Sequence, residues 1–361
     1  MSGADVPNPT LSGADAPAVS VVMPVHNALP YLDQAVESIL GQTFANFEFV
    51  ILDDASADGS TARLREWAAK DSRIRLLEEK RNLGPALSSD RVARAATAAI
   101  VARMDADDIS HPERLRDQLE VLQHNSDVGL VASLCDIIDS DGRLVRNPEA
   151  WRLTRATVFV PFPHGAIMYR RDLFEKVGGY RRQCEYWEDQ DFVTRMAAAS
   201  KVSVIPRALY RVRQSTTSTR VTSDQERLEQ AVDLMYRSLA RLKQGQSYDD
   251  LLDADSDKGT KLDPWVFVSL GSVMLWSGGK PRLFRRLLRN GKLSFDFRTL
   301  SAAVWTAWAS FSPSSLRLFL LLLLKARNRF AFVTVPTDEP IIWSPSATIA
   351  GPELDQEALP R

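Results

Sequence analysis

Residues 99–108 read Ala99-Ile100-Val101-Ala102-Arg103-Met104-Asp105-Ala106-Asp107-Asp108, an apolar run that ends in three carboxylates within four residues. The apolar part predicts a buried strand. Buried carboxylates cost several kcal/mol unless they are paired or bind a cation, and ligands of open α/β sheets lie at the carboxyl ends of strands. The cluster therefore predicts a site for Mg²⁺ or Mn²⁺, which prefer hard oxygen ligands. The alternative is a polar loop in which Asp108 caps the helix that begins near Pro112.

The composition is that of an ordinary globular protein and excludes several classes of function. The chain has 361 residues, 45% of them hydrophobic and 25% charged, with a net charge of −1. This charge provides no global field for nucleic acid, so we expect no nucleic-acid partner. Two cysteines and four histidines argue against a disulfide framework or a structural zinc site. The first residues lack the basic and apolar regions of a secretory signal, so we expect a cytoplasmic protein.

Changes in composition divide the chain into five segments. We expect a disordered leader, an α/β domain, an acidic linker, a helical basic region rich in Trp and Leu, and a loose tail. Their bounds are residues 1–18, 19–245, 246–262, 263–335 and 336–361.

The basic region leaves two alternatives open. Leu316–Leu324 is almost entirely apolar, but nine residues fall well short of the roughly 20 that a spanning helix needs. Its helices either pack on the α/β domain or lie on an anionic membrane surface.

Within residues 19–245 short apolar runs alternate with amphipathic stretches. This alternation predicts a mostly parallel, doubly wound sheet. The predicted strands cover 19–25, 47–52, 74–77, a run that ends at 104, 128–132 and a short strand near 137. The predicted helices include one with Leu32, Ala35, Val36, Ile39 and Leu40 on one face, one through Leu64 and Trp67, and those at 85–98, 112–124 and 187–199.

Four segments in this order resemble family-2 glycosyltransferases of the GT-A fold: Val21–Asn27, Leu52–Ser60, Arg103–Asp108 and Trp187–Phe192. Shorter segments at 112–115, 164–168 and 177–180 also look like that family, and the resemblance extends over residues 19–219. It implies a Rossmann-like GT-A domain with a helical C-terminal appendage. It also implies an inverting transferase that moves a sugar from a nucleotide diphosphate sugar to an acceptor hydroxyl.

The resemblance also implies roles for individual residues. The nucleotide-sugar side would consist of Pro24, Val25, Asn27, Asp53, Asp54, Asn82 and Asp105. Asp107 would be the more direct ligand of Mn²⁺ or Mg²⁺, with Asp105 in the metal shell or at the ribose. Asp189 would be the catalytic base, and Glu188 would orient the acceptor or Asp189. The acceptor side would include His164, Gly165, Asp191 (the rival base) and Arg213. Turn chemistry with Asp58-Gly59 is the alternative for Asp53 and Asp54.

The expected acceptor is a saccharide or a polyprenyl-linked saccharide of cell-surface polysaccharide synthesis, met on the inner face of the plasma membrane. The sequence departs from the family pattern at Asp90, Val92, Ala98-Ala99 and Arg213. These departures leave a non-catalytic sugar-nucleotide binder as an alternative. A sugar nucleotidyltransferase is less favoured, because residues 21–30 contain no Gly, Lys or Arg to hold a triphosphate.

Overall fold

The computed structural model describes residues 16–146 and 162–214, together with residues 234, 238, 241, 246–249, 252 and 341–343. These residues form one ten-stranded sheet flanked by helices. In the first half each strand is followed by a helix. The elements are β1 (Val19–Val25), α1 (Leu29–Leu40), β2 (Phe47–Asp53), α2 (Ser60–Lys70), β3 (Ile74–Glu78), α3 (Pro85–Arg94) and β4 (Ile100–Arg103).

The second half is more irregular. Its elements are β5 (Ile109–Ser110), α4 (Arg114–His124), β6 (Val128–Ile138), β7 (Leu144–Arg146), β8 (Met168–Arg170), α5 (Arg171–Lys176), α6 (Glu188–Ala199), β9 (Lys201–Arg213) and β10 (Ile341–Trp343). Two short 3₁₀ turns, His164–Ala166 and Arg182–Cys184, precede β8 and α6.

The strand order is β10-β9-β6-β8-β4-β1-β2-β3. Strands β4, β1, β2 and β3 run parallel to one another, and β6 runs parallel to β9. Strand β8 runs antiparallel to both β4 and β6, so the sheet is mixed beyond β4. The α/β fold class predicted from the sequence is confirmed. The carboxyl ends of β1, β2 and β4 meet at one edge, and this edge carries the predicted acids.

Helix α3 ends four residues before the predicted end at Ala98. The backbone N–H and the hydroxyl of Thr97 donate to Glu48 Oε1 at 2.7 and 2.6 Å, and the N–H of Ala98 donates to Ser20 Oγ at 2.9 Å. These side chains of β1 and β2 offer the backbone better partners than another helical turn, and they lead the chain into β4.

The 13-residue strand β9 and the short β8 were not predicted. Proline within an apolar run argues against a central strand, and β9 contains Pro206. In the ladder, Ser133 faces Ile205 whereas the next residue of β6, Leu134, faces Ala208. The two skipped residues, 206 and 207, form an irregularity that removes the need for a proline N–H.

Three predicted segments extend over residues that the structure describes only in part. In the segment predicted as a linker, Tyr248 is buried and Leu252 packs against the same cluster. In the predicted tail, β10 pairs antiparallel with β9. Residues 1–15 of the predicted leader and the whole basic region 263–335 lie outside the described residues. No helix in the described part of the chain is long and apolar enough to cross a membrane.

Candidate active site

A polar cradle lies beyond the carboxyl ends of β1 and β2. His26 Nδ1 lies 2.7 Å from the carbonyl oxygen of Asp54, so this nitrogen carries the proton, because a carbonyl only accepts. The side-chain amides of Asn27 and Asn82 each lie 3.0 Å from His26 Nε2. The predicted nucleotide-side residues Asn27 and Asn82 are thus brought together, although 55 positions separate them. His26, which lies between them, belongs to the family-like segment Val21–Asn27 but was not predicted as a site residue.

The Asp53 and Asp54 carboxylates are both buried, but they have different surroundings. Asp54 accepts hydrogen bonds from the N–H groups of Leu83 (2.7 Å) and Gly84 (3.2 Å) and from the Ser88 hydroxyl (2.6 Å). It therefore holds the loop that carries Asn82 and the start of α3. Asp53 accepts a bond from Thr61 Oγ1 at 2.7 Å, within the β2–α2 connection.

The other two predicted contacts of the cradle, Pro24 and Val25, belong to β1. Val25 is buried, and its carbonyl oxygen accepts the N–H of Asp54 at 2.7 Å. This bond joins the ends of β1 and β2. Turn chemistry, the alternative interpretation of this region, is also present: Asp58 Oδ1 accepts the N–H of Ser60 at 2.9 Å.

The Asp105 and Asp107 carboxylates follow β4. Asp105 is paired with the buried Arg103, with 2.9 Å between Oδ1 and Nη2. Burial and the nearby Asp105 carboxylate raise the pKa of Asp107 to about 6. Asp107 is therefore held in a desolvated position close to a second acid, an arrangement that is relieved by a cation.

The third acid of this cluster, Asp108, has a structural role. Its Oδ1 accepts the backbone N–H of Arg213 at 2.8 Å, and the Tyr210 hydroxyl also bonds the carboxylate. The same hydroxyl accepts the backbone N–H of Asp105 at 3.1 Å. Asp108 and Tyr210 together fasten the acid loop to β9. Neither of the sequence interpretations of the cluster, a metal site or a helix cap, predicted this contact.

Gly165 lies against the acid loop. A Cβ at this position would be 2.0 Å from Tyr210 Oη and 2.7 Å from Asp105 Oδ2. The fully buried Arg114 fixes this approach, because its Nη1 donates to the carbonyl oxygens of Arg103 and Gly165, both at 3.0 Å. Arg114 belongs to the family-like segment 112–115 but was not predicted to have a role. In the structure it holds β4 and the 3₁₀ turn together.

His164, predicted on the acceptor side, precedes Gly165 in the same turn. Its Nε2 lies 2.7 Å from Tyr180 Oη, and the two rings meet edge to face. Burial and the positive charge of Arg103 lower the pKa of His164 well below its usual range. The imidazole is therefore neutral, which suits a hydrogen-bonding role and not that of a cationic group.

The predicted acids Glu188 and Asp189 lie in the first turn of α6. Asp189 Oδ1 accepts the N–H of Gln190 at 2.7 Å. Burial lowers the pKa of the Arg103 guanidinium, but neighbouring side chains raise this pKa overall. These neighbours are Asp105, Tyr180, Tyr210 and Glu188. Asp105 and Glu188 therefore both contribute negative potential at this buried guanidinium.

Asp191, the predicted rival base, is buried among cations. Its Oδ2 accepts Arg195 Nε at 3.0 Å, and its Oδ1 accepts the Tyr248 hydroxyl at 2.7 Å. Arg181 Nη1 lies 3.7 Å from Oδ1. Asp191 is therefore bonded on both carboxylate oxygens and is committed to the chain itself.

Arg213 is also committed to the chain itself. Its guanidinium donates to the backbone carbonyls of Asp107 (2.8 Å), Asp139 and Ser140 (both 3.0 Å) and to Gln34 Oε1 (2.7 Å). It therefore anchors the acid loop to the β6–β7 turn and to α1. Asp90, another departure from the family pattern, accepts the N–H of Tyr180 at 3.0 Å.

Backbone strain is concentrated around the same site. Among the described residues, the non-glycine positions with positive φ are Asn27 (53°), Ala55 (55°) and Tyr186 (71°). Two follow β1 and β2, and the third precedes the acids of α6. Left-handed conformations of such residues cost about 1–3 kcal/mol and cluster at functional sites.

The donor set at Asp105 and Asp107 fits one kind of cation. No group of three or more His, Cys, Asp or Glu side chains in the described residues forms a metal cage. Mg²⁺ is commonly bound by one or two carboxylates together with substrate phosphates. Two neighbouring carboxylates, one with a raised pKa, match that pattern and not a closed structural site.

Comparisons with known proteins give one consistent result. The profile of glycosyl transferase family 2 matches residues 20–178. EpsE of Bacillus subtilis, to which a glycosyltransferase role is assigned provisionally, is 33% identical over 236 residues, which cover 63% of this chain and 84% of EpsE. WbnJ of Escherichia coli, named an O-antigen biosynthesis glycosyltransferase, is 28% identical over 180 residues, 48% of this chain and 68% of WbnJ.

Two solved structures share the fold. The mannosyltransferase PcManGT from Pyrobaculum calidifontis, in complex with GDP-Man and Mn²⁺, has a TM-score of 0.52 and 19% identity, covering 90% of this chain and 89% of that chain. S. aureus TarS 1-349, in complex with UDP-GlcNAc, has a TM-score of 0.51 and 18% identity, covering 66% of this chain and 68% of that chain. These likenesses confirm the GT-A fold.

Proposed function

The chain belongs to glycosyl transferase family 2, as its motifs predicted, and on that premise we propose an inverting transfer from a nucleotide diphosphate sugar to an acceptor hydroxyl. One observation carries the proposal: Asp105, which follows β4, is paired with the buried Arg103 at 2.9 Å and lies against Gly165, and the adjacent His164 is hydrogen-bonded to Tyr180, in the segment before α6. A second contact agrees with it. Glu185, just before α6, lies so near Gly84 that a Cβ there would be 2.3 Å from Glu185 Oε1.

The cradle after β1 and β2 is the proposed place for the nucleoside. Asn27 and Asn82 are exposed amides held by His26, and Asp53 lies beside them at the end of β2. Amides and carboxylates can pair with the N–H groups and hydroxyls of a base and ribose. Pro24 and Val25 supply the strand end. We revise the role of Asp54, which positions the loop carrying Asn82.

Asp105 and Asp107 are the residues that would hold Mn²⁺ or Mg²⁺. When bound, such an ion supplies Lewis-acid neutralisation of the negative charge that develops on the departing diphosphate. Arg103 orients the Asp105 carboxylate, because its Nη2 lies 2.9 Å from Oδ1. Arg213 holds the backbone of Asp107.

Asp189 is the proposed base, and Glu188 orients the acceptor. The acceptor hydroxyl gives its proton to the Asp189 carboxylate while its oxygen forms a bond to the anomeric carbon. The bond from that carbon to the diphosphate oxygen breaks, and its electron pair leaves with the nucleoside diphosphate. Because one displacement occurs at the carbon, the anomeric configuration inverts. His164 and Gly165, which lie together in one 3₁₀ turn, are the proposed residues of the acceptor side.

For the acceptor we propose a saccharide, free or polyprenyl-linked, of cell-surface polysaccharide synthesis. The name of WbnJ, an O-antigen biosynthesis glycosyltransferase, supports this class. The basic residues of 263–335 would bring the enzyme to the inner face of the plasma membrane. Co-sedimentation with phosphatidylglycerol vesicles should occur at low salt and weaken at high salt, whereas failure to bind at low salt contradicts the membrane proposal.

A thermal-shift screen tests the donor. Ligands that bind the native state raise its apparent stability. The purified chain should be stabilised by one class of UDP-, GDP- or dTDP-sugar together with Mn²⁺, and should release the corresponding nucleoside diphosphate. Asp107→Asn should lose the metal-dependent stabilisation. Asp141→Asn is the matched control, because the Asp141 side chain is 62% exposed in a hairpin turn and is paired with Arg143.

The outcomes of this screen also separate the alternatives. Release of pyrophosphate would identify a sugar nucleotidyltransferase. Stabilisation without release, unchanged by Asp189→Asn, would identify a non-catalytic binder. The structure weakens the reason for the second alternative, because Asp90 and Arg213 have structural partners and neither departure removes an acid from the site.

A further inference from the structure

A small hydrophobic cluster lies under the first turn of α6, and part of it comes from residues after β9. Its buried members are Cys184, Trp187 and Tyr248, and Leu234 and Leu252 pack against them. Tyr248 is only 4% exposed, and its ring centroid lies 6.2 Å from that of Trp187. Because Trp187 directly precedes the two acids of α6, this cluster joins a distant part of the chain to the turn that bears the proposed base.

A buried polar contact accompanies this packing. The Tyr248 hydroxyl donates to Oδ1 of Asp191, a residue of helix α6, at 2.7 Å. Burial and the Asp191 carboxylate raise the pKa of Tyr248, so the phenol stays protonated and donates at neutral pH. Next to it, Arg181 bridges Asp249 at 2.7 Å and Asp191 at 3.7 Å. Two successive residues, Tyr248 and Asp249, are thus fastened to one ionic centre.

The same centre reaches the acceptor side. Arg195 donates to Asp191 and also to the backbone carbonyls of Val177 (2.6 Å) and Gly179 (2.7 Å). The next residue, Tyr180, is hydrogen-bonded to His164. Asp191 therefore connects Tyr248 both with the first turns of α6 and with the turn that supports His164.

We propose that Tyr248 is a positioning residue for sugar transfer, which fixes the orientation of Asp189 and Glu188 through Asp191 and Trp187. The inference rests on the proposed function for its catalytic part only. Tyr248 lies 70 positions beyond the end of the family match at residue 178, so the family profile does not include it. The chain after β9 thereby completes the acceptor side of the site.

The test uses the 361-residue chain and separates the role of the Tyr248 hydroxyl from that of its ring. Tyr248→Phe deletes the hydroxyl and keeps the ring on Trp187, whereas Tyr248→Ala deletes both. Ser247→Ala is the matched control, because the hydrogen bonds of the Ser247 hydroxyl within the described part of the chain are with the neighbouring Asp249 at the surface. Amide hydrogen exchange followed by mass spectrometry should be faster in Tyr248→Phe over 187–192 and 177–181. Exchange in β1 and β2 should not change.

Kinetics add a measurement that a merely structural role does not change. The assay follows release of nucleoside diphosphate with water as acceptor, using the donor class found by thermal shift. Tyr248→Phe should lower kcat by about tenfold or more and leave the donor KM unchanged, because the base is misplaced while the nucleotide cradle is intact. Tyr248→Ala should lower kcat further, and Ser247→Ala should match wild type.

Three results would overturn the inference: unchanged exchange over 187–192, equal acceleration of exchange throughout the sheet, or an unchanged kcat. A wild-type chain that releases no nucleoside diphosphate contradicts the proposed function instead. In that case exchange over 187–192 still decides whether Tyr248 fixes this turn.

Discussion

Replacing Gly165 by alanine should destabilise the protein and displace the acid loop, because the space beside Gly165 is already filled. The new Cβ would lie 2.0 Å from Oη and 2.5 Å from Cζ of Tyr210, and 2.7 Å from Oδ2 of Asp105. Tyr210 is fully buried, and Arg114 holds the Gly165 carbonyl at 3.0 Å. Neither side of the contact can move without breaking a hydrogen bond or its packing.

The magnitude follows from these contacts. Overpacking a closely packed core costs about 1–3 kcal/mol. Moving the Tyr210 hydroxyl also weakens the 3.1 Å bond that it accepts from the Asp105 N–H, and such a bond contributes about 0.5–1.5 kcal/mol. The expected loss in the free energy of unfolding for Gly165→Ala is therefore about 2–4 kcal/mol.

Urea unfolding of four variants measures this effect and identifies its cause. Tyr210→Phe removes the atom nearest to the new methyl group, so the double variant Gly165→Ala/Tyr210→Phe should lose less stability than the sum of the single variants, by about 1 kcal/mol or more. Gly178→Ala is the control, because Gly178 has a φ of +83° and open space around it. It should cost about 1–2 kcal/mol from backbone strain alone. Wild-type stability of Gly165→Ala, or full additivity with Tyr210→Phe, would refute the steric argument.

Three further predictions concern single side chains. Asp54→Ala should lower the free energy of unfolding by about 2–4 kcal/mol in urea, because it leaves the donors of the loop before α3 unpaired, whereas Asp141→Ala at the surface should change it little. Arg213→Lys should weaken the Mn²⁺-dependent thermal shift by nucleotide sugars, since the Asp107 carbonyl loses its guanidinium donor, and a wild-type shift would contradict this role. Burial raises the pKa of the Cys135 thiol from 9.0 to about 12. The free energy of unfolding should therefore fall as the pH rises above 9, because the thiol ionises first in the unfolded chain. Labelling of the native protein by iodoacetamide at the rate of a free thiol would disprove this burial.

The parallel half of the sheet could be predicted from the sequence because its central strands are buried on both faces. Every residue of β1 except Pro24 is buried, and Ser20 is the one polar residue in this otherwise apolar strand. The mixed half could not be predicted in the same way. Strand β8 has three residues, too few for a periodic pattern, and β9 includes Pro206 at an irregularity that only the pairing with β6 explains.

The sequence indicated the acids that we propose for the site, but not the cations and hydroxyls that hold them. Arg103 appeared as one polar residue in an apolar run, and nothing in its neighbours shows that it is buried and paired with Asp105. Tyr248 fell in a segment of linker-like composition, although it is buried against Trp187. Such partners come from positions far apart in the chain, and only the folded structure brings them together.

The hydrogen bonds divide the acids of the site into two kinds, and the two kinds are neighbours in sequence. In each pair the second acid is buried and accepts hydrogen bonds from residues far along the chain, so it fixes the local backbone, whereas the first acids Asp53 and Asp189 accept bonds from nearby residues. The first acid is the one that we propose to meet a nucleotide, a cation or an acceptor. A side chain that must exchange partners during a reaction is poorly suited to anchoring a loop, because its bonds change when ligands arrive. Assigning the anchoring to an adjacent residue keeps the loop in place while the reacting carboxylate stays available. The pairs are Asp53 with Asp54, Asp107 with Asp108, and Asp189 with Asp191.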